Sequence, residues 1–213
     1  MTMDRPSNTI WNVPNQITAV RLVLAIVVFV LIPLENYLLA LVLFSIAAAT
    51  DWVDGYWARK YNQVTRLGRV FDPFVDKVII CGTYILLAAD GNQQQFGHWG
   101  IVGWMAVVVA ARELLVTVIR SQIEKEGGDF SAKWAGKWKM GFQCGAVIAT
   151  LLALHLTHSF RLPHHALADW LKWTMAGFVW LSVASTVYSG AVYIFAARRL
   201  MHATPDDDSS ESS

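Results

Sequence analysis

Six long apolar segments, each about as long as a membrane crossing, account for most of this 213-residue chain. A helix needs about 20 predominantly apolar residues to cross the hydrocarbon core of a bilayer. The runs are continuous, whereas the strands of a membrane barrel alternate, so the pattern favours helices. We therefore expect an all-α integral membrane protein with six transmembrane helices, at residues 16–34, 37–60, 69–89, 98–122, 136–157 and 168–198.

The composition supports this class and excludes others. Hydrophobic residues make up 55% of the chain and charged residues only 15%, against about 25% charged residues in soluble domains. A net charge of +1 gives no indication of a nucleic-acid partner. Cys81 and Cys144 both fall inside apolar segments, and we interpret them as packing residues.

The loop charges predict the orientation in the membrane. Basic residues cluster in the loops after the second and fourth segments and near the C-terminal end, whereas the opposite loops contain only Arg161. By the positive-inside rule both termini are expected to be cytoplasmic. Tryptophans near the predicted span ends suit the membrane interface: Trp11, Trp99, Trp104, Trp134, Trp138 and Trp170. Residues 1–200 are expected to form one transmembrane domain, and 201–213 a disordered acidic tail.

Four carboxylates stand where a membrane helix normally excludes charge. Asp51 and Asp54 lie near the cytoplasmic end of the second segment, and Asp72 and Asp76 in the first turns of the third. Each costs about 2.5–3.5 kcal/mol in a membrane helix, so the group must face a polar cavity or a cation. Because a short loop joins the two helices, we expect them to be antiparallel neighbours with an active site at the cytoplasmic side.

Oxygen-only ligands favour hard divalent ions, here Mg²⁺ or Mn²⁺. Four carboxylates can hold two ions, and such a pair can bind the attacking and leaving oxygens of a phosphoryl displacement. Gly55 and Ala58 share the face of Asp51 and Asp54 and leave room for a ligand, while Arg59 can pair with phosphate. The alternative is a small-residue helix-packing patch with Arg59 as a topology charge.

Residues 51–76 read DWVDGYWARKYNQVTRLGRVFDPFVD, with the spacing D-x2-D-G-x2-A-R-x8-G-x3-D-x3-D. This resembles the signature of the CDP-alcohol phosphotransferase family. The resemblance implies an enzyme, usually a homodimer, that transfers a substituted phosphate from a CDP-linked alcohol to an acceptor hydroxyl and releases CMP. It also implies that the four aspartates bind metal and that Asp76 is the general base. Residues implied to line the nucleotide site are Gly55, Ala58, Arg59 and Gly68.

Two further segments resemble the phosphatidylglycerophosphate synthase branch of that family. The sequence NVPNQITAVR resembles its N-x-P-N-x-x-T-x-x-R entry, which adds Asn15 and Thr18 to the nucleotide site unless they only cap the first helix. The segments ARELLVTVIR and AGKWKMGFQ resemble the A-R-E…R…G-K-x-K-T-x-x-Q pattern of the same branch, although Met140 stands where the family usually has Thr. Four cations here are candidates for acceptor binding: Arg112, Arg120, Lys137 and Lys139.

Interpretations of these four cations that involve no substrate stay open. Arg112 can form a structural ion pair with Glu113, Arg120 can anchor the helix at the interface, and the lysines can set topology or touch anionic lipid headgroups. Four histidines lie at the non-cytoplasmic end of the helices, away from the acids, where a metal site is an alternative: His155, His158, His164 and His165.

The resemblance implies that the chain uses CDP-diacylglycerol and glycerol 3-phosphate in a bacterial cytoplasmic membrane. Alternatives with the same chemistry use phosphatidylglycerol, as in cardiolipin synthase, or inositol phosphate or serine as acceptor. A divalent-cation transporter is an alternative from another class. It predicts acids near the bilayer midplane and interrupted helices, whereas these acids lie toward one end of unbroken helical patterns.

Overall fold

A computed structural model describes residues 13–61, 66–94, 96–125, 133–161 and 167–202, and within these ranges the chain is helical and contains no strand. All six predicted segments form helices, which shift by a few residues at their ends, and a short helix and a 3₁₀ turn at Gly97–Trp99 precede the fourth. The helices are α1 Val13–Leu31, α2 Tyr37–Tyr61, α3 Arg66–Ala89, α4 Gly91–Gln94, α5 Gly103–Lys125, α6 Lys133–Ser159 and α7 Asp169–His202.

The six long helices form a ring in which each packs mainly on two others. The order around the ring is α1, α3, α5, α7, α6, α2, and a lesser contact joins α3 to α6. We expected α2 and α3 to pair directly because their loop is short. In the described residues both instead make their main contacts with α1, which therefore lies between the two helices that carry the aspartates.

Three stretches of the described chain are long and apolar enough to cross a membrane: Gly97–Arg120, Trp138–Ser159 and Asp169–Phe195. Shorter apolar stretches occur in α1 at Gln16–Leu31 and in α2 at Tyr37–Thr50. Helix α3 is not among these stretches, because its first turns are rich in charged residues. Large apolar side chains such as Val107 and Phe195 are about two-thirds exposed, which is the outer surface expected of a bundle solvated by lipid.

Inside the ring, the buried residues form one apolar core drawn from all six long helices. Two glycines let aromatic rings approach a neighbouring backbone: the Phe29 ring lies on Gly82, and the Phe178 ring lies on Gly145. Cys81 and Cys144 are both partly buried and pack against this core, as the sequence predicts. Close apolar packing therefore holds the described part of the bundle together.

A polar network joins the α1–α2 loop, the end of α3 and the end of α6, at the end of the bundle opposite the four candidate metal ligands. The Tyr37 hydroxyl donates to Asp90 at 2.9 Å, and the Asn92 amide donates to Glu35 at 3.0 Å and to the Tyr37 oxygen at 2.9 Å. His158 Nε2 lies 2.9 Å from the other Glu35 oxygen. His158 thus has a protein partner in this network, while His164 and His165 lie outside the described residues.

Candidate active site

The side chain of Asp76 is held by an ion pair between two helices. Arg21 Nη1 of α1 donates to Asp76 Oδ1 of α3 at 2.7 Å. The Arg21 side chain is only 3% exposed, whereas that of Asp76 is 28% exposed. A buried cation therefore holds one oxygen of a carboxylate that remains partly open.

A narrow pocket lies beside this ion pair, where α1, α2, α3 and α6 meet. Its lining consists of the Arg21–Asp76 pair and a largely apolar wall: Phe44, Ala47, Ala48, Ile79, Ile80, Met140 and Cys144. Met140, the one departure from the expected pattern on α6, thus borders the same space as Asp76. The flexible Met side chain is longer than that of Thr and therefore fills space next to the candidate base that a Thr would leave open.

For the other three candidate metal ligands, the structure describes only the backbone. Asp51 and Asp54 lie in the C-terminal part of α2, and Asp72 lies in α3 one turn before Asp76. Their side chains fall outside the described residues, as do those of Gly55, Ala58, Arg59, Gly68 and Asn15. The helical periodicity puts Asp51 and Asp54 on one face and Asp72 and Asp76 on another, so their joint role in metal binding stays a prediction.

The donor chemistry fits a hard divalent ion. The aspartates supply oxygen ligands alone, and Asp76 is open enough to share one oxygen with a cation. Among the side chains that the structure describes, no three of His, Cys, Asp or Glu come together to hold a metal, but three of the four candidate ligands are not in that set. Thr18, one turn before Arg21 on α1, is buried.

A second charged cluster lies where α5, α6 and α7 pack together. The ammonium of Lys139 and Arg112 Nη1 both contact Glu113 Oε1, the latter at 3.2 Å. Arg112 also donates to the Ser189 hydroxyl, and its guanidinium lies 5.7 Å from the centre of the Tyr193 ring. The side chains of Arg112, Glu113 and Lys139 are at most 10% exposed, so two candidate acceptor-binding cations share one buried carboxylate.

The remaining acceptor candidates lie nearer the ends of their helices. Arg120 is exposed on α5, two turns or about 12 Å along the axis from Arg112. Lys137 lies in the first turns of α6, and its side chain falls outside the described residues. The structure therefore brings Arg112 and Lys139 together with Glu113, and it leaves Arg120 at the exposed end of the same helix.

Two partners were not assigned from the sequence. Local spacing gives no role to Arg21, the last residue of the N-terminal motif, although an arginine within an apolar segment needs a carboxylate or a polar cavity nearby. The sequence pairs Glu113 only with its neighbour Arg112, and the contact of Glu113 with Lys139, 26 residues later, could not be read from local spacing. A charged residue inside an apolar run, as Arg21 and Glu113 both are, is the signal that points to a partner on another helix.

A profile of the CDP-alcohol phosphatidyltransferase family matches residues 11–188, which include α1, the aspartate-bearing parts of α2 and α3, and the Arg112–Glu113–Lys139 cluster. The match takes in most of the helical bundle and both charged clusters. The chain belongs to this family, as the D-x2-D-G-x2-A-R signature predicts. Members of the family generally use divalent metal ions.

Curated bacterial relatives share one name, CDP-diacylglycerol–glycerol-3-phosphate 3-phosphatidyltransferase. The protein of that name from Bacillus subtilis (strain 168) is 34% identical over 86% of this chain and 93% of its own length. The Escherichia coli (strain K12) protein is 26% identical over 88% of this chain and 96% of its own. The Haemophilus influenzae protein is 31% identical over 61% of this chain and 69% of its own.

Proposed function

We propose that this protein transfers the phosphatidyl group of CDP-diacylglycerol to glycerol 3-phosphate, giving phosphatidylglycerol phosphate and CMP. The observation that carries the proposal is the likeness to the Bacillus subtilis enzyme of that name, which extends over 93% of that enzyme. The eight signature residues between Asp51 and Asp76 supply the acids and small residues that this chemistry needs. A likeness along nearly the whole length supports the same substrates as well as the same reaction.

The four aspartates are the proposed ligands of two Mg²⁺ or Mn²⁺ ions. When bound, such ions neutralise the diphosphate and stabilise charge on the leaving group. Asp51 and Asp54 would contribute from α2, and Asp72 and Asp76 from α3, with α1 between the helices. Residues proposed for the nucleotide side are Asn15, Thr18, Gly55, Ala58, Arg59 and Gly68.

Asp76 is the proposed general base. A hydroxyl oxygen of glycerol 3-phosphate attacks the lipid-side phosphorus, and the bond from that phosphorus to the bridging oxygen breaks as CMP leaves. The hydroxyl proton passes to a carboxylate oxygen of Asp76. The 28% exposure of Asp76 beside the pocket supports this role, because a base must reach its substrate.

The dianionic acceptor would be repelled by the acids unless cations hold it. Arg112, Arg120, Lys137 and Lys139 are the proposed cations, since guanidinium groups bind phosphate with paired donors and ammonium groups supply point charge. Lys139 and Met140 are adjacent on α6, and Met140 lines the pocket that Asp76 borders. The acceptor site is proposed where α6 passes between the Lys139–Glu113 contact and the pocket that Asp76 borders.

The setting of the enzyme is also a proposal. Six spans follow from the apolar segments, cytoplasmic termini and an active site at the cytoplasmic side follow from the loop charges, and the bacterial relatives favour the inner membrane. Residues 1–200 are proposed as the catalytic domain and 201–213 as an acidic tail. A homodimer surrounded by membrane lipid is the proposed assembly.

CMP release by the purified protein in detergent tests the proposal. CDP-diacylglycerol is supplied with glycerol 3-phosphate, phosphatidylglycerol, inositol phosphate or serine in parallel reactions. We expect release with glycerol 3-phosphate to exceed the others by at least tenfold. A preference for another acceptor would change the branch while keeping the chemistry. No CMP with any acceptor, together with uptake of Mn²⁺ into liposomes, would favour the transporter.

A further inference from the structure

We propose that Arg21 is the positioning residue for Asp76, and that its guanidinium holds the carboxylate in the orientation from which it takes the acceptor's proton. This inference rests on the proposed function, because it assigns a role within the reaction proposed for Asp76. Its basis is the 2.7 Å contact from Arg21 Nη1 to Asp76 Oδ1, which joins residues 55 positions apart in the sequence. Arginine is the suitable cation, because its planar fork of donors fixes the geometry of a contact with a carboxylate.

The unequal exposure of the two side chains separates their roles. The Arg21 side chain is 3% exposed, whereas that of Asp76 is 28% exposed and is the more accessible of the two to a substrate. Both border the pocket where α1, α2, α3 and α6 meet. Arg21 therefore acts on a substrate through Asp76, by holding one oxygen of the carboxylate and so restricting rotation about the side-chain bonds. Positioning of this kind contributes to the rate because a misplaced reacting group lowers turnover steeply.

Helix α1 is well placed for this task. It makes main contacts with both α2 and α3, the helices that carry the four aspartates. Its outer face is apolar, with Val20, Val23 and Ile26 each more than half exposed, while Arg21 and Ala25 are buried. The buried face of α1 thus presents the guanidinium of Arg21 to the carboxylate of Asp76. A purely architectural contact would need no charge, since an apolar side chain fills such a position more cheaply.

Variants of Arg21 in two backgrounds test the proposal. Arg21→Gln and Arg21→Lys are made in the wild type and in Asp76→Asn. Tyr84→Phe serves as a matched control, because it removes a buried contact of α3, the 2.9 Å bond to Ser182 of α7, away from the pocket. For each protein we measure kcat, KM for both substrates, the unfolding temperature in detergent, and Mn²⁺ binding by electron paramagnetic resonance without substrate.

The proposal predicts a fall in kcat without loss of the metal. Arg21→Gln should lower kcat at least tenfold, while both KM values and Mn²⁺ binding stay within threefold of the wild type. Arg21→Lys should recover part of the loss, since it keeps the charge but not the fork of donors. In the Asp76→Asn background, Arg21→Gln should change kcat by less than twofold, because the group through which it acts is already disabled. Tyr84→Phe should lower the unfolding temperature and leave kcat unchanged.

Other results would overturn the proposal. Equal losses of kcat in both backgrounds, or a parallel loss of Mn²⁺ binding, would make Arg21 a structural residue. Unchanged kcat in Arg21→Gln would remove any role. If Arg21→Gln does not fold, Arg21→Lys carries the test, and an equal fall of its kcat in the wild-type and Asp76→Asn backgrounds would assign architecture alone. Absence of CMP release from the wild type would instead contradict the proposed function itself.

Discussion

Glu113 of α5 and Lys139 of α6 form an ion pair inside the bundle, and the guanidinium of Arg112 contacts the same carboxylate oxygen. The pair joins two helices through residues that are at most 10% exposed. Two cations on one carboxylate leave excess positive charge in a poorly hydrated place. Such a place can favour a further anion, which is why the cluster matters both for stability and for the proposed binding of glycerol 3-phosphate.

Substitutions at this cluster should have unequal effects on stability. Glu113→Gln leaves two buried cations uncompensated and should cost about 3–5 kcal/mol, the usual cost of breaking a buried pair from one side. Lys139→Met should cost less, because Arg112 remains 3.2 Å from Glu113. Thermal unfolding in detergent measures both. Equal losses would show that Arg112 does not share the carboxylate in the folded protein.

Arg120 and Lys137, the two cations nearer the helix ends, should control the affinity for the acceptor. Arg120→Ala or Lys137→Ala should raise the KM for glycerol 3-phosphate at least about tenfold, equivalent to about 1.4 kcal/mol for one lost charge-assisted contact. The KM for CDP-diacylglycerol should change much less. Steady-state kinetics with each substrate varied in turn provides the measurement. Equal weakening of both substrates would place these residues in the nucleotide site or in the scaffold.

The glycines under aromatic rings give a test of the packing. A methyl group at Gly82 would overlap the Phe29 ring, and one at Gly145 would lie 2.5 Å from the Phe178 ring. Overpacking of this kind typically costs about 1–3 kcal/mol. Gly141→Ala is the matched control on α6, because nothing lies within 4 Å of its added carbon. Gly82→Ala and Gly145→Ala should lower the unfolding temperature, and stable variants of both would contradict the packing seen here.

Divalent ions should be essential if the four aspartates bind them. Chelation should abolish CMP release, and added Mg²⁺ or Mn²⁺ should restore it, since four carboxylates in one place repel one another without a cation. The control is chelator saturated with metal beforehand, which should have no effect. Full activity in excess chelator would exclude the proposed ligand set.

The positions of the helices could be predicted because segment length and apolarity follow directly from the bilayer. The packing order could not, since a short loop between α2 and α3 suggests direct pairing whereas both pack mainly on α1. The family could be predicted because its eight signature residues are local in sequence. Arg21–Asp76 and Glu113–Lys139 could not, because each joins different helices, and only the packing of those helices decides which charges meet.

Incorporation of radiolabelled glycerol 3-phosphate into lipid is the most direct test of the proposed reaction. Purified protein is given CDP-diacylglycerol and Mn²⁺, and labelled lipid and CMP are counted in the same reaction. We predict one CMP per labelled phosphatidylglycerol phosphate, and a rate about 10²-fold lower in Asp76→Asn, the lower end of the range for loss of a general base. No labelled lipid from the wild type, or an undiminished rate in Asp76→Asn, would contradict the account.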